Sequence, residues 1–291
     1  MGVSTPAVSQ IVLRLENQLG TVLFERNPHG LRLTPAGRFL RERVRRVIEW
    51  ETATVEDLAG YQDQLLPKLR ISMVEPMAIH LMTTIVGQLS PLVGELTVEV
   101  GHTVTFVREF VKDEVDIIIS NEELADIPRL ERHLLCTQGM VALVPASVPP
   151  DRRHPSQLAE SLPLIRFKSG TRVDQEVEEY LHRMGIGMHR RISCASPAPM
   201  AQLVESGQGW TIAPPLAMSW LAPSLKSIAW VPLPAPTPTR DIHLIGGEGR
   251  FLDLPKTLAE RSRQTLAREV NSWRDTPLEP CMAVVKIHRQ A

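Results

Sequence analysis

Leu23-Phe24-Glu25-Arg26-Asn27-Pro28-His29-Gly30-Leu31-Arg32-Leu33-Thr34-Pro35-Ala36-Gly37 sets two short apolar runs around one turn and ends on a helix start. Leu23–Arg26 and Leu31–Leu33 read as strands, and Asn27–Gly30 as the turn that makes them a small hairpin, or wing. Thr34 offers a capping hydroxyl, and Pro35 has its φ already set for a first helical turn and no donor to lose there. Thr5-Pro6 repeats that start upstream. From it Val8, Val12, Leu15 and Leu19 recur on one helical face, and Gly20 supplies the C-terminal stop. A helix, a wing and a second helix follow one another in this order.

The helix that opens at Thr34-Pro35 can run to about Leu58, beyond the usual length of a globular helix. Leu40, Val44, Val47, Ile48, Val55 and Leu58 keep one face apolar, broken by Glu51. Such a stripe fits pairing with a partner chain, or packing on the body of the same chain. Gly60–Pro67 follows as a hinge.

Beyond the hinge, strands alternate with helices. Strands are expected at Leu69–Val74, Leu96–Val100, Val115–Ser120, Met140–Val144, Leu164–Phe167, Ile192–Ala195, Trp210–Ala213, Ile228–Leu233 and Asp241–Ile245. Helices are expected at Met77–Leu89, Thr103–Lys112, Arg172–Met184, Met200–Ser206 and Leu254–Val270. Near-continuous apolar strands between helices predict parallel α/β sheets, here as two lobes. The strands at Met140–Val144 and Asp241–Ile245 are placed to cross between the lobes. Residues 271–291 show no period and read as a loose tail.

Charge is uneven. Residues 1–48 hold eight Arg, no Lys and three acids, a net of +5, on a chain whose total is −1. A basic end suits a nucleic-acid contact confined to the N-terminus, and equally a solvated Arg-rich face. Cys136, Cys194 and Cys281 are far apart, with neither metal spacing nor a disulfide framework, and suit a reducing compartment. No signal segment and no long apolar run is present, so a cytoplasmic protein without a membrane is expected. Phosphate-binding and nucleophile-elbow patterns are absent, and Gly246-Gly247-Glu248-Gly249 reads as a turn. No catalytic residue, metal site or cofactor is predicted.

Thr5-Pro6-Ala7-Val8-Ser9, Leu15-Glu16, Leu19-Gly20, Leu23-Phe24-Glu25-Arg26, Gly30, Leu33-Thr34 and Ala36-Gly37 resemble the LysR-type transcriptional regulators. The body from Leu69 to about Val270 is similar to their effector-binding domain, a two-lobed periplasmic-binding-protein-like fold, and Gly207-Gln208-Gly209-Trp210 looks like that family's Gly-x-Gly approach to a strand. The resemblance implies a partial winged helix-turn-helix over 1–34, a linker and dimerisation helix with hinge over 35–66, an effector domain over 67–271 and a tail over 272–291. It implies a double-stranded operator DNA, a small-molecule effector, a homodimer or tetramer built on the linker helix and effector domain, and RNA polymerase as a further partner. By that family's order, the first helix of the reader and most of the second are missing ahead of Thr5, so weakened specific DNA binding is expected. An effector-binding or dimerising protein that has lost specific DNA binding is the alternative.

The resemblance places Thr5, Pro6, Ser9, Gln10 and Arg14 toward the major groove, where hydroxyls and amides read base edges and Arg14 grips phosphate. Arg26, His29 and Arg32 of the wing, with Arg38 and Arg41 of the linker helix, are further expected backbone contacts. For the effector it implies a cleft ringed by strand ends: Val74, Glu75 and Pro76; Ser120 and Asn121; Phe167, Lys168 and Ser169; Ser196 and Pro197; Ala213 and Pro214. Arg166 or Lys168 is expected to pair a carboxylate, while Glu75 would select a cationic or amine-bearing ligand or else form a salt bridge with a neighbouring Arg or Lys.

Overall fold

The computed structural model describes residues 5–27, 30–41, 43–45, 66–101 and 103–288. The chain forms two compact units, residues 1–67 and 68–291.

In the first unit, α1 (Thr5–Leu19) ends at Gly20, whose φ of +62° is the left-handed turn that glycine adopts freely. Next come β1 (Phe24–Asn27) and β2 (Gly30–Leu33), paired antiparallel with Phe24 opposite Leu33. The carboxylate of Glu16 reaches from α1 to the wing, where its Oε1 accepts from the backbone N–H of Leu23 at 2.6 Å and of Phe24 at 3.1 Å. The helix α2 is described over residues 35–41 and 43–45. Thr34 caps it: Oγ1 accepts from the Gly37 N–H at 3.0 Å and donates to the Val22 carbonyl at 2.8 Å. A Cβ on Gly37 would lie 2.2 Å from the Leu23 carbonyl oxygen, so only glycine lets this helix pass the wing so closely. The expected continuation of the linker helix, with Val47, Ile48, Val55 and Leu58, lies outside the described residues.

The second unit has two lobes. Lobe one begins with β3 (Leu66–Val74), α3 (Glu75–Leu89), β4 (Val93–Gly101), α4 (Thr103–Val111), β5 (Ile117–Ser120) and β6 (Leu130–Gly139). Lobe two holds β7 (Val141–Pro145), α5 (Pro155–Ser161), β8 (Leu164–Arg166), α6 (Arg172–Arg183), β9 (Arg191–Ser193), α7 (Pro197–Glu205), β10 (Thr211–Ala213), α8 (Pro215–Met218) and β11 (Ile228–Pro232). The chain then returns to lobe one with β12 (Thr239–Gly247), α9 (Leu254–Asn271) and β13 (Val285–Ile287).

The lobe-one sheet has the order β13-β6-β12-β5-β3-β4. Its β3 and β5 are parallel, whereas β12 runs antiparallel to both β5 and β6, and β13 antiparallel to β6. The expectation of parallel sheets therefore needs correction. The buried centre of β12 sits mid-sheet with helices over it, so it reads as a continuous apolar run whatever its direction. In lobe two, β7 lies between β10 and β11, and a bridge from Leu164 to Trp210 joins them to the β8-β9 pair. The core here gathers Tyr180, Leu181, Trp210, Leu164 and Leu158. The two glycines before Trp210 have distinct reasons. Gly207 has φ +75°, and a Cβ on Gly209 would lie 2.5 Å from the Pro163 carbonyl.

The chain crosses between the lobes near both strands expected to do so, at Met140 between β6 and β7 and ahead of Asp241 between β11 and β12. The strand β6 escaped the sequence reading because Glu131, Arg132, His133 and Gln138 interrupt its apolar residues. The charge of Arg132 is met internally: it donates to the carbonyls of Glu123, Leu124, Ile127 and Leu130. The loose tail over 272–291 is also corrected. Trp273, Leu278 and Cys281 are buried, and β13 pairs with β6, so this segment completes lobe one.

Candidate effector cleft and DNA-reading unit

The C-terminal end of β5, the first residues of β12 and the first turns of α6 enclose a cavity of about 250 Å3. Its lining is Asn121, Glu122 and Glu123 after β5, Thr239, Arg240, Asp241 and His243 on β12, and Arg172 and Glu176 on α6. Since β5 and β12 belong to lobe one and α6 to lobe two, this cavity lies in the cleft between lobes.

Each part is held from behind. The start of α6 is capped by Thr171, whose Oγ1 accepts from the Asp174 N–H at 3.3 Å. Asp174, 3% exposed, takes two bonds from Arg166, at 2.6 Å from Nε and also from Nη2. Glu178 adds a second acid 3.4 Å from Arg166. Asn121 accepts from the Thr103 hydroxyl at 2.9 Å, and the Ser120 Oγ accepts from the Glu122 N–H at 3.2 Å, fixing the turn after β5. On β12, Asp241 accepts from Thr137 Oγ1, which also meets His288 Nε2 at 2.9 Å.

Arg240 and Glu176 form the floor. Their charged atoms lie 3.2 Å apart, with side chains 11% and 13% exposed. The contact is an ion pair off hydrogen-bonding angle, so Arg240 Nε and Glu176 Oε2 are buried without a hydrogen-bond partner, as is Nδ1 of His243. Burial lowers the Arg240 pKa, countered by Glu176. Burial also lowers that of His243, so its imidazole is neutral at pH 7. Glu176 also accepts from Arg172 at 2.9 Å, while Glu122, Glu123 and Asp241 stand exposed at the mouth.

Of the twelve effector residues expected from the sequence, this cavity gathers Asn121 alone. Val74, Glu75 and Pro76 sit at the β3–α3 junction with Glu75 exposed, and Lys168, Ser169 and Ser196 are exposed. Phe167 is half-buried, while Ser120, Pro197, Ala213 and Pro214 are buried. Arg166 is committed to Asp174 and Glu178, which corrects its expected role as a ligand's carboxylate partner. Arg172, Glu176, Arg240, Asp241 and His243 were missed. The available signal was the polar run Thr239-Arg240-Asp241 followed by His243, at the head of a strand whose other positions are apolar.

In the reader, Gln10 and Arg14 are exposed on α1, Arg32 is exposed on β2 opposite Glu25, and Arg38 and Arg41 are exposed on α2. Arg38 Nη1 donates to the Leu33 carbonyl at 2.9 Å, tying helix to wing. Thr5, Pro6 and Ser9 belong to α1 and Arg26 to β1; their side chains, and all of His29, lie outside the described residues. Val8, Ile11, Leu15 and Leu19 of α1 are exposed within the unit.

A DNA-reading unit and a two-lobed ligand domain on one chain define a ligand-responsive regulator. Residues 62–265 match the LysR substrate binding domain, and residues 1–38 match the bacterial regulatory helix-turn-helix protein of the lysR family. The probable hydrogen peroxide-inducible genes activator of Mycobacterium avium is 26% identical over 253 residues, 84% of this chain and 80% of that protein. The regulator BudR of Raoultella terrigena is 23% identical over 80% of this chain and 82% of its own length. Among solved structures, a mutant of Corynebacterium glutamicum OxyR with hydrogen peroxide bound superposes with a TM-score of 0.59 at 20% identity, covering 92% of this chain and 86% of that one, a likeness of fold. The chain belongs to the LysR family. It is a DNA-binding transcriptional regulator that responds to a small-molecule effector, and it is not an enzyme.

Proposed function

We propose that the effector binds in the interlobe cavity formed by Arg172, Glu176, Arg240, Asp241 and His243, and that its presence changes how the two lobes present the chain to DNA. The observation that carries this reading is the convergence of polar side chains from both lobes on one cavity, with the Arg240–Glu176 ion pair and the buried His243 among its lining. A cavity lined by charged and polar groups suits a polar ligand. Because the floor residues come from both lobes, a ligand there biases lobe geometry directly.

On the DNA side, Gln10 reads base edges while Arg14, Arg26, Arg32, Arg38 and Arg41 hold phosphates, with Thr5, Pro6, Ser9 and His29 as further proposed contacts. The regulator acts in the cytoplasm as a homodimer or tetramer through the linker helix and effector domain, with RNA polymerase as the partner that reads its position. Among the described residues no helix is long and apolar enough to cross a membrane.

Relatives are named for induction by hydrogen peroxide. For this chain, reversible binding is the better reading. Burial pushes the Cys136 and Cys281 thiols up to about 12, which removes the thiolate that peroxide attack requires at both, and leaves Cys194 as the one cysteine that is not buried. The exposed apolar residues Val8, Ile11, Leu15 and Leu19 favour a second reading, in which the chain binds ligand and partner chains but grips DNA weakly.

A salt-titrated gel shift on the DNA beside its own gene decides between them. Specific binding whose salt slope falls by about one on Arg14→Ala or Arg32→Ala supports the regulator reading. Binding with no preference over unrelated DNA supports the second. A promoter reporter tests the cleft: His243→Phe is expected to leave basal DNA affinity intact and abolish the response to ligand.

A further inference from the structure

A second cavity lies within lobe one, between α9 and the C-terminal segment that leads into β13. Its volume of about 580 Å3 falls inside the roughly 300–1,000 Å3 of small-molecule sites. One wall is a face of α9 that runs from Glu260 to Asn271. The other is Met282, in the 3-10 helix Glu279–Val284, together with β13 and His288.

Strand register gives this groove a polar end and an apolar end. Ile287 lies opposite Cys136 and Val285 opposite Gln138, so β13 carries the groove along β6. At one end Arg263 Nε donates to the Leu134 carbonyl at 2.9 Å, and the His288 N–H donates to the Leu135 carbonyl at 3.1 Å. Toward the other end the walls are Ala267, Val270, Met282 and Val285. Arg263 precedes Asn271 by eight residues of α9, about 12 Å at the helical rise.

Arg263 is half-buried, and its charge is not answered within the chain. Arg70, Arg166 and Arg240 each meet an acid. Among the described residues no carboxylate forms an ion pair with Arg263. Burial lowers its pKa, and Glu260, one turn earlier on α9, acts against that without pairing. A partly desolvated guanidinium makes strong charge-assisted bonds to a carboxylate. The apolar end excludes a second charge, because a carboxylate there would be desolvated among aliphatic side chains with no cation beside it.

We propose that this groove binds a medium-chain monocarboxylate, its carboxylate on Arg263 and its alkyl chain along Ala267, Val270, Met282 and Val285. The site is separate from the interlobe cavity and does not rest on it. It also adjoins the crossing between lobes. The helix Glu279–Val284 packs on β11 of lobe two, and a Cβ on Gly139, at the end of β6, would lie 3.1 Å from the Val284 Cβ. A bound chain therefore presses on a segment that both lobes touch, which makes the groove a second effector site.

Equilibrium dialysis of the full chain against radiolabelled octanoate tests this, with butyrate, octylamine and suberate as competitors. Butyrate is expected to compete at least about tenfold more weakly than unlabelled octanoate, because each further buried methylene adds affinity. Octylamine and suberate are expected not to compete. Ala267→Trp, at a half-buried position of the wall, is expected to abolish binding by filling the groove. Arg263→Gln is expected to weaken it at least about tenfold, and Glu260→Gln to tighten it, with thermal melts confirming that each variant folds. Competition by octylamine equal to that of octanoate, or full binding by a folded Arg263→Gln, overturns the inference. Binding that survives Ala267→Trp but is lost in His243→Phe puts the acid between the lobes, and also overturns it. So does an absence of octanoate binding.

Discussion

Arg240 on β12 and Glu176 on α6 face one another at 3.2 Å across the two lobes of the effector unit, both largely buried. Removing Glu176 leaves Arg240 charged and desolvated, and removing Arg240 leaves Glu176 with Arg172 as its remaining cation. Arg240→Met and Glu176→Gln are each expected to cost about 3 kcal/mol in urea melts, while the double variant costs less than their sum. Strict additivity would mean that the two side chains do not depend on each other.

The reader depends on one close approach. In Gly37→Ala the new methyl would sit 2.2 Å from the Leu23 carbonyl oxygen, a backbone atom that cannot rotate away. The wing must shift from α2, and the Thr34 cap goes with it. We expect DNA affinity to fall at least tenfold in a gel shift while ligand binding by the effector unit is unchanged. An unaltered gel shift would show that the wing relaxes freely.

Acid sensitivity follows from two histidines. Burial is the leading cause that lowers the pKa of both His243 and His133 below the usual 6.5. The unfolded chain therefore binds more protons than the folded one in this window. Their contribution to stability is complete above about 6.5 and is lost as pH falls through the folded-state values. Thermal melts from pH 7.5 to 5 should show Tm declining below 6.5, with a smaller decline in His243→Phe.

Thiol accessibility separates the three cysteines. Cys136 and Cys281 are buried with pKa values near 12, and Cys194 is half-buried with Sγ 3.6 Å from the Ser196 carbonyl. A chromogenic disulfide reagent at pH 8 should label at most Cys194 in the folded protein and all three in denaturant. Rapid labelling of two or three thiols in the native state would contradict this burial and reopen thiol oxidation as the signal.

The C-terminal segment is structural. A chain ending at residue 271 loses the buried Trp273, Leu278 and Cys281 and uncovers β6. By the cost of removing several buried apolar side chains, roughly 5 kcal/mol or more, such a chain should fail to accumulate as folded protein. Its recovery with an unchanged melt would restore the reading of a loose tail.

Local chemistry made the reader legible from residues alone. Thr34-Pro35 caps and starts a helix, Gly20 and Gly37 are required by backbone geometry, and the apolar spacing of α1 is helical. Apart from Gly37, which answers to the Leu23 carbonyl across the wing, these act within a few residues of chain, and their order also carried the family resemblance. Strand positions in the effector unit were legible for the same reason, because short apolar runs are local. Pairing partners were not. The antiparallel setting of β12, the capture of β13 by β6 and the polar strand β6 itself depend on residues over a hundred positions apart. The cleft depends on such distances too. Arg240 and Glu176 are ordinary charged residues in sequence; folding makes them an interlobe pair by desolvating both and bringing their charged atoms to 3.2 Å. Burial and unmet bonding are properties of the assembled neighbourhood, and no spacing along the chain encodes them.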